Sequence, residues 1–363
     1  MMTLGVTQET GTLPTLNWRE NSFDRSESVQ AEAFQPFLTG SAACFGCPIA
    51  CGRTAEVRID GTEYITEGPE YETMYAFGPN CGIDDPRVLV AANDLCANYG
   101  LDTISTGVTL SFAMECEAKG LLPDDGPAIS FGDAQAVLKA IPAIALGHSG
   151  FALLAGGVKK ASESIPGSAE WAIHVKGLEL PGYDPRGMKG QALCYALADR
   201  GGCHLRSSTL GPELLGHPQG YDRLSYEGKA DLIARMQLDK IAFNIIPLCL
   251  FAGSEINLKD GAEAVSAVNG RELTVEDLLE VANRTRTLIR LFNAREGFDR
   301  ADDTLPDRLF DEPSTRGPSR SETVDRKVFE RLLTEYYTLV GWNPETGIPT
   351  VETVAELGLE AYE

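Results

Sequence analysis

Three cysteines fall within eight positions, Cys44-Phe-Gly-Cys47-Pro-Ile-Ala-Cys51, and no other stretch of the chain concentrates so much reactive chemistry. Thiols this close can aim their sulfurs at one metal centre from a single tight loop. Both a tetrahedral thiolate site and a [4Fe–4S] cube want four sulfurs. The remaining cysteines, Cys81, Cys96, Cys116, Cys194, Cys203 and Cys249, are all candidates for the fourth. Buried structural thiols and a structural zinc site compete with this reading. The radical enzymes that use S-adenosylmethionine carry the reverse spacing, three residues and then two, on an α/β pattern that is missing here. An iron–sulfur cluster is the favoured reading, and its natural task is electron transfer, with the substrate left open. Nine cysteines in 363 residues are too sparse, and odd in number, for a disulfide scaffold.

The elements that must position this loop are mainly helical. From Thr274 to Phe298 the apolar residues Val275, Leu278, Leu279, Ala282, Leu288, Ile289 and Phe292 mark one helix face, with Thr274 as N-cap and Gly297 as a stop. Val324 to Tyr336 repeats the spacing, Ser225–Ile246 and Asp133–Leu146 read as further helices, and Pro142 is expected to kink the last. The best strand signal is Val57 and Ile59, an Asp60-Gly61 turn and a return through Tyr64 and Ile65, which predicts a small β-hairpin. The expected fold class is all-α, mainly helical, in two multihelical domains, 1–172 with the cysteine loop and 173–363. The acidic, proline-containing stretch from Asp299 to Arg320 reads as a surface excursion of the later domain.

Length and charge narrow the function classes. At 363 residues the chain is long enough for about two domains without disulfide staples. It carries 31 basic against 53 acidic side chains, a net charge of −22, which repels nucleic acid and acidic lipid surfaces. No run of apolar residues is long enough to span a bilayer. The N-terminal Met1-Met2-Thr3-Leu4-Gly5 lacks a secretory pattern, so a cytoplasmic location is expected.

Further segments stand in a fixed order along the chain: Glu67-Gly-Pro-Glu-Tyr-Glu-Thr73, Phe77-Gly-Pro-Asn80, Tyr99-Gly-Leu-Asp-Thr-Ile-Ser-Thr-Gly107, His174-Val-Lys-Gly-Leu-Glu179, Tyr183-Asp-Pro-Arg186, Arg200-Gly-Gly-Cys-His-Leu-Arg206, Pro247-Leu-Cys-Leu-Phe251, Arg290-Leu-Phe-Asn293, Glu335-Tyr-Tyr337, Gly341-Trp342 and Leu357-Gly-Leu359. With the cysteine run, these resemble the second and third domains of the tungsten-containing aldehyde:ferredoxin oxidoreductases over essentially the whole chain. The β-rich first domain of that family, the base on which two pterins lie, has no counterpart here.

The resemblance implies a [4Fe–4S] cluster on Cys44, Cys47, Cys51 and Cys249, and a tungsten (or molybdenum) bis-pterin with no protein ligand on the metal. It implies Glu72 as general base, His204 as donor to a developing oxyanion, and Tyr71 and Tyr183 as further phenolic donors. Arg200 and Arg206 match contacts to pterin and phosphate groups. Two pterin-covering segments correspond to Ala97–Asp102, with Leu101 and Asp102, and to Asn244–Cys249, with Asn244 and Leu248. Both depart from the family pattern: Ala97 lacks a carboxylate, Asn244 carries an amide in place of one, and Pro247 stands where glycine is usual. The implied activity is oxidation of an aldehyde to a carboxylate, with electrons leaving through the cluster to ferredoxin or a similar carrier. The implied partner is a separate β-rich subunit supplying the first domain, the alternative being a truncated gene product. The rival expectation is a non-catalytic electron-transfer or assembly subunit that keeps only the cluster.

Overall fold

The chain is described by a computed structural model covering residues 2–148, 150–217, 219–254 and 256–362. Helix dominates: among the described residues about half lie in helical segments, 14 of them α-helices, with few strands and no barrel. By packing the chain forms two compact units, Met1–Met188 with Leu305–Val324, and Lys189–Thr304 with Asp325–Glu363. The sequence-based division at 172/173 concerns family domains and stands as a proposal beside these packing units.

In the first unit three antiparallel strands, β1 (Leu38–Ala42), β2 (Gly52–Ile59) and β3 (Thr62–Glu67), form a sheet in the order 1-2-3. The hairpin read from the sequence is β2–β3, paired from Thr54↔Glu67 to Ile59↔Thr62. Asp60 and Gly61 turn it with φ of 49° and 83°, the left-handed pair that matches strand twist in a two-residue loop. The strand β1 is new. Leu-Thr-Gly-Ser-Ala is mostly exposed and has no apolar alternation, so only its pairing with β2, from Leu38↔Ala55 to Ala42↔Gly52, makes it a strand. The cysteine run is therefore the β1–β2 connection, tied at both ends by the Ala42↔Gly52 pair.

Behind the sheet, the short helix Tyr71–Phe77 packs on Thr103–Ala118, whose N-cap Asp102 accepts from Ser105 N at 2.7 Å. Gly107 permits the approach, since a Cβ there would lie 2.6 Å from Ala76 Cβ. Helix Ala134–Ala145 forms as expected, capped by Asp133 and with Pro142 inside it.

The stretch expected as an excursion of the later domain packs with the first unit over Leu305–Val324. Its anchor is Arg308, whose Nη1 and Nη2 each donate to a Glu115 oxygen at 2.8 Å, while Leu309 and Phe310 are buried. Sequence composition sees the acids and prolines of this segment. The partner that overrides them, Glu115, lies 193 positions away.

The second unit is built on Lys229–Ile245, against which Val275–Arg295 and Arg326–Leu339 pack. The expected cap at Thr274 is present as a reciprocal capping box: Asp277 N donates to Thr274 Oγ1 at 3.1 Å and Thr274 N to Asp277 Oδ2 at 2.7 Å. Among the described residues no helix is long and apolar enough to cross a membrane.

Candidate functional site

The β1–β2 connection displays its thiols. Cys44 and Cys51 are exposed and Cys47 partly so, with Cys47 N donating to Cys44 O at 3.0 Å and Arg53 Nη1 to Cys51 O at 3.2 Å. Phe45 between them is fully exposed. All nine cysteines are unbridged, and among the described residues no group of three or more His, Cys, Asp or Glu side chains is gathered as a metal site. The donor set is nonetheless right for a cluster: three soft sulfurs on one short loop, clear of the core. By contrast Cys81, Cys96, Cys116, Cys194 and Cys203 are buried, and burial pushes Cys81, Cys96, Cys116 and Cys194 up toward the neutral thiol, Cys96 and Cys194 to about 12. Cys249 in the second unit is exposed just beyond the end of Lys229–Ile245, and its carbonyl accepts from Ala252 N at 3.0 Å. Of the candidates for a fourth ligand it alone is exposed.

The second cluster of chemistry, also in the first unit, surrounds Glu72 in the first turn of helix Tyr71–Phe77. Gly182 N donates to Glu72 Oε2 at 2.9 Å, and the Tyr71 hydroxyl donates to Gly182 O, so one residue is gripped from both sides. The Tyr71 and Tyr183 rings lie 5.1 Å apart between centroids, tilted by 37°. Tyr75 completes the wall, its hydroxyl accepting from Trp18 Nε1 at 2.8 Å and donating to Leu180 O at 3.2 Å. Burial raises the Glu72 carboxyl to about 8, the Gly182 N–H opposes the rise, and the Asp102 charge adds to it. Burial first, then the neighbouring Glu72 charge, holds the Tyr71 and Tyr183 phenols well above their ordinary range.

The structure brings together Glu72, Tyr71 and Tyr183, all named from the sequence, and adds Gly182, which was not. The only signal was its place just before Tyr183-Asp-Pro-Arg186. That motif has a structural use: Arg186 and Asp184 are both fully buried, Arg186 Nε donates to both Asp184 oxygens at 3.0 Å, and its Nη2 donates to Trp18 O at 2.6 Å. The role of Gly182 is steric. A Cβ there would fall 2.5 Å from Tyr75 Cγ and 3.0 Å from the Tyr71 hydroxyl. Gly182→Ala is therefore expected to displace the segment beside Glu72 and lower stability by about 1–3 kcal/mol. Chemical denaturation measures it, and a stability equal to that of the parent chain would show that the segment yields freely.

In the second unit His204 sits in an irregular loop after helix Lys189–Ala196. Burial, then the Arg200 charge, lowers it to about 4, so it is a neutral imidazole over the physiological range. The loop is pinned on either side of it: Arg200 Nε and Leu205 N donate to Cys203 Sγ at 3.2 and 3.3 Å, and Arg206 Nε donates to Asp199 Oδ1 at 2.8 Å.

The pterin-segment candidates are mostly engaged in chain geometry. The Asp102 side chain caps a helix, and Leu101 N donates to Cys96 O at 2.9 Å where the preceding helix ends. Asn244 is exposed in the last turn of Lys229–Ile245, and Leu248 N donates to Phe243 O at 3.0 Å. Glu72, Tyr71, Tyr183 and Asp102 thus belong to one neighbourhood of the first unit. His204, Arg200 and Arg206 belong to one loop of the second.

Comparison with known proteins bears on this arrangement. A family model described as "Aldehyde ferredoxin oxidoreductase, domains 2 & 3" matches residues 1–359. The chain is 36% identical over 99% of its length to a protein of Thermococcus kodakarensis named "Tungsten-containing aldehyde ferredoxin oxidoreductase", and equally to the like-named protein of Pyrococcus furiosus, and it spans 59% of the length of each. It also shares its fold with a chain of the solved complex "Active site complex BamBC of Benzoyl Coenzyme A reductase in complex with 1,5 Dienoyl-CoA", at a TM-score of 0.77 and 20% identity, covering 98% of this chain and 59% of that one.

Proposed function

Since the chain belongs to the aldehyde ferredoxin oxidoreductase family, matching its domains 2 and 3, we propose that it forms the cluster-bearing, helical portion of a tungsten oxidoreductase that converts an aldehyde to a carboxylate and releases electrons to ferredoxin or a similar carrier. The observation that carries the reading is the Glu72 carboxyl, buried among tyrosines, held by the Gly182 N–H and raised to about 8. A carboxyl so placed can be ionised at mildly alkaline pH and basic enough to take a proton from water or from an aldehyde hydrate.

A tungsten bis-pterin, when bound, supplies two-electron oxidation with release of electrons one at a time. The chain's own residues do the rest. Glu72 Oε1 or Oε2 accepts the proton of the attacking oxygen. The neutral His204 imidazole donates an N–H to the oxygen that gains charge, and it does so without competing as a proton acceptor because its pKa is low. The Tyr71 hydroxyl is occupied by Gly182 O, so its part is to fix the residue that orients Glu72. Tyr183 lines the same wall. Arg200, Arg206, Leu101, Asp102, Asn244 and Leu248 are the residues that would hold the pterin and phosphate groups. Cys44, Cys47 and Cys51, with Cys249 as fourth thiolate, would hold the cluster. The chain spans 59% of the length of these relatives, and a β-rich portion beside it completes the proposal.

The rival reading, a cytoplasmic electron-transfer or assembly subunit with the cluster alone, draws on the departures at Ala97, Asn244 and Pro247 and on the use of Asp102 as a helix cap. Elemental analysis of the chain, purified without oxygen from its native host together with whatever accompanies it, separates the two. Tungsten or molybdenum with iron is the expected result. Iron alone, near four atoms per chain, gives the rival the better case, and zinc in place of both defeats the redox reading.

A further inference from the structure

We propose that a cavity of about 30 Å³ inside the second unit is a binding site for one compact anion of halide size. Its lining includes Asp199, Arg206, Gln237, Arg286, Asn293 and Trp342. Arg286 is only 8% exposed, yet all its partners are neutral: Nη1 donates to Ala234 O at 3.2 Å, Nη2 to Asn283 Oδ1 at 2.6 Å, and the guanidinium faces the Tyr336 hydroxyl. Its Nε is buried without an acceptor, and among the described residues no carboxylate pairs with it. Its neighbours differ in this respect, Arg290 pairing with Asp303 at 2.9 Å and Arg206 with Asp199 at 2.8 Å. Three guanidinium groups therefore meet two carboxylates. Trp342 Nε1, in a side chain 6% exposed, is a second buried donor with no acceptor.

A guanidinium does not lose its proton in a protein, so Arg286 cannot escape burial by becoming neutral. A trapped water would satisfy its Nε–H but leave the charge uncompensated, which is the costlier deficit. The cavity has room for about two water-sized occupants. A halide fits that space. The bound anion would link Arg206, at the end of the loop that carries His204, to helix Val275–Arg295 through Arg286. The inference rests on charge and volume inside this unit; it shares Arg206 with the proposed pterin and phosphate contacts, and its test reads halide binding alone.

The test uses the purified chain with chloride exchanged for gluconate at constant ionic strength. We expect its unfolding temperature to rise saturably as chloride or bromide replaces gluconate. Arg286→Gln is expected to move the midpoint of that titration up at least about tenfold, the loss of a charge-assisted donor. Trp342→Phe, which keeps the ring and removes one neutral donor, is expected to move it several-fold. Crystals grown in bromide are expected to show an anomalous peak between Arg206 and Arg286, a result that needs neither variant to fold. An unfolding temperature indifferent to halide, or a bromide map with no peak in the cavity, overturns the proposal.

Discussion

Replacing Glu72 by Gln is expected to lower aldehyde-dependent reduction of a viologen dye by about 10²–10⁴-fold in the complex that carries the metal, the usual contribution of a positioned general base. The amide keeps the size of the side chain and can still face the Gly182 N–H, so metal content should be unchanged. The pH profile gives the sharper signature. With Glu72 raised to about 8 and His204 lowered to about 4, kcat/KM between pH 5 and 9 should show one ascending limb that levels above about pH 8. It should have no falling limb from His204, and Glu72→Gln should flatten it. Stability runs the other way. A raised folded-state pKa means that the favourable contribution of the protonated carboxyl is complete below its ordinary value of 4.5 and is lost as pH rises through about 8. Glu72→Gln should accordingly be near neutral for stability at pH 4 and stabilising at pH 9. Dye reduction unchanged by the substitution would remove Glu72 from the chemistry.

Arg308→Met is expected to cost about 3–5 kcal/mol, because it removes one partner of a buried ion pair and strands the other. Glu115 and Arg308 are each 2% exposed, and their bidentate bond is joined by Arg308 Nη1 donating to Asn17 O at 2.6 Å and Asn17 Nδ2 donating to Glu115 at 2.7 Å. Without Arg308, the nearest cation to Glu115 is Lys119 at 4.0 Å, half exposed to solvent. The loss should appear as a fall in the unfolding temperature of roughly 10 °C. Adding Glu115→Leu to Arg308→Met should recover much of it, since two apolar groups of similar shape leave no buried charge. A single substitution that leaves the unfolding temperature unchanged would show that Leu305–Val324 is held by its other contacts, among them the buried Leu309 and Phe310 and the Arg316 ion pairs.

Much of the fold was legible because its signals are local. Periodicity and caps marked Val275–Arg295 and Ala134–Ala145 to within a few residues, and the Asp60-Gly61 dipeptide marked a hairpin because two consecutive left-handed residues suit few other turns. Strand β1 was not legible, since Leu38–Ala42 is a strand only through its hydrogen bonds to β2. The membership of Leu305–Val324 in the first unit was hidden for the same kind of reason. Its composition reads as surface, and the bond that decides the matter joins positions 115 and 308.

For the candidate site the division is similar. The sequence alone determined which residue types are present and how closely: three thiols within eight positions, a carboxylate between tyrosines, a histidine between arginines. Those spacings are covalent facts; the thiol spacing pointed to soft-metal chemistry, and the proton roles of the carboxylate and the histidine came from the family resemblance. Only the tertiary structure decided what each group is able to do. Burial raised the Glu72 carboxyl to about 8, against the opposing pull of an N–H 110 positions away. The fold lowered the His204 imidazole to about 4 by burial beside Arg200, and it committed the Asp102 carboxylate to a helix N-terminus. A side chain's pKa and its free lone pairs are set by the dielectric and the dipoles around it, and these come from residues that the chain brings near only when it folds.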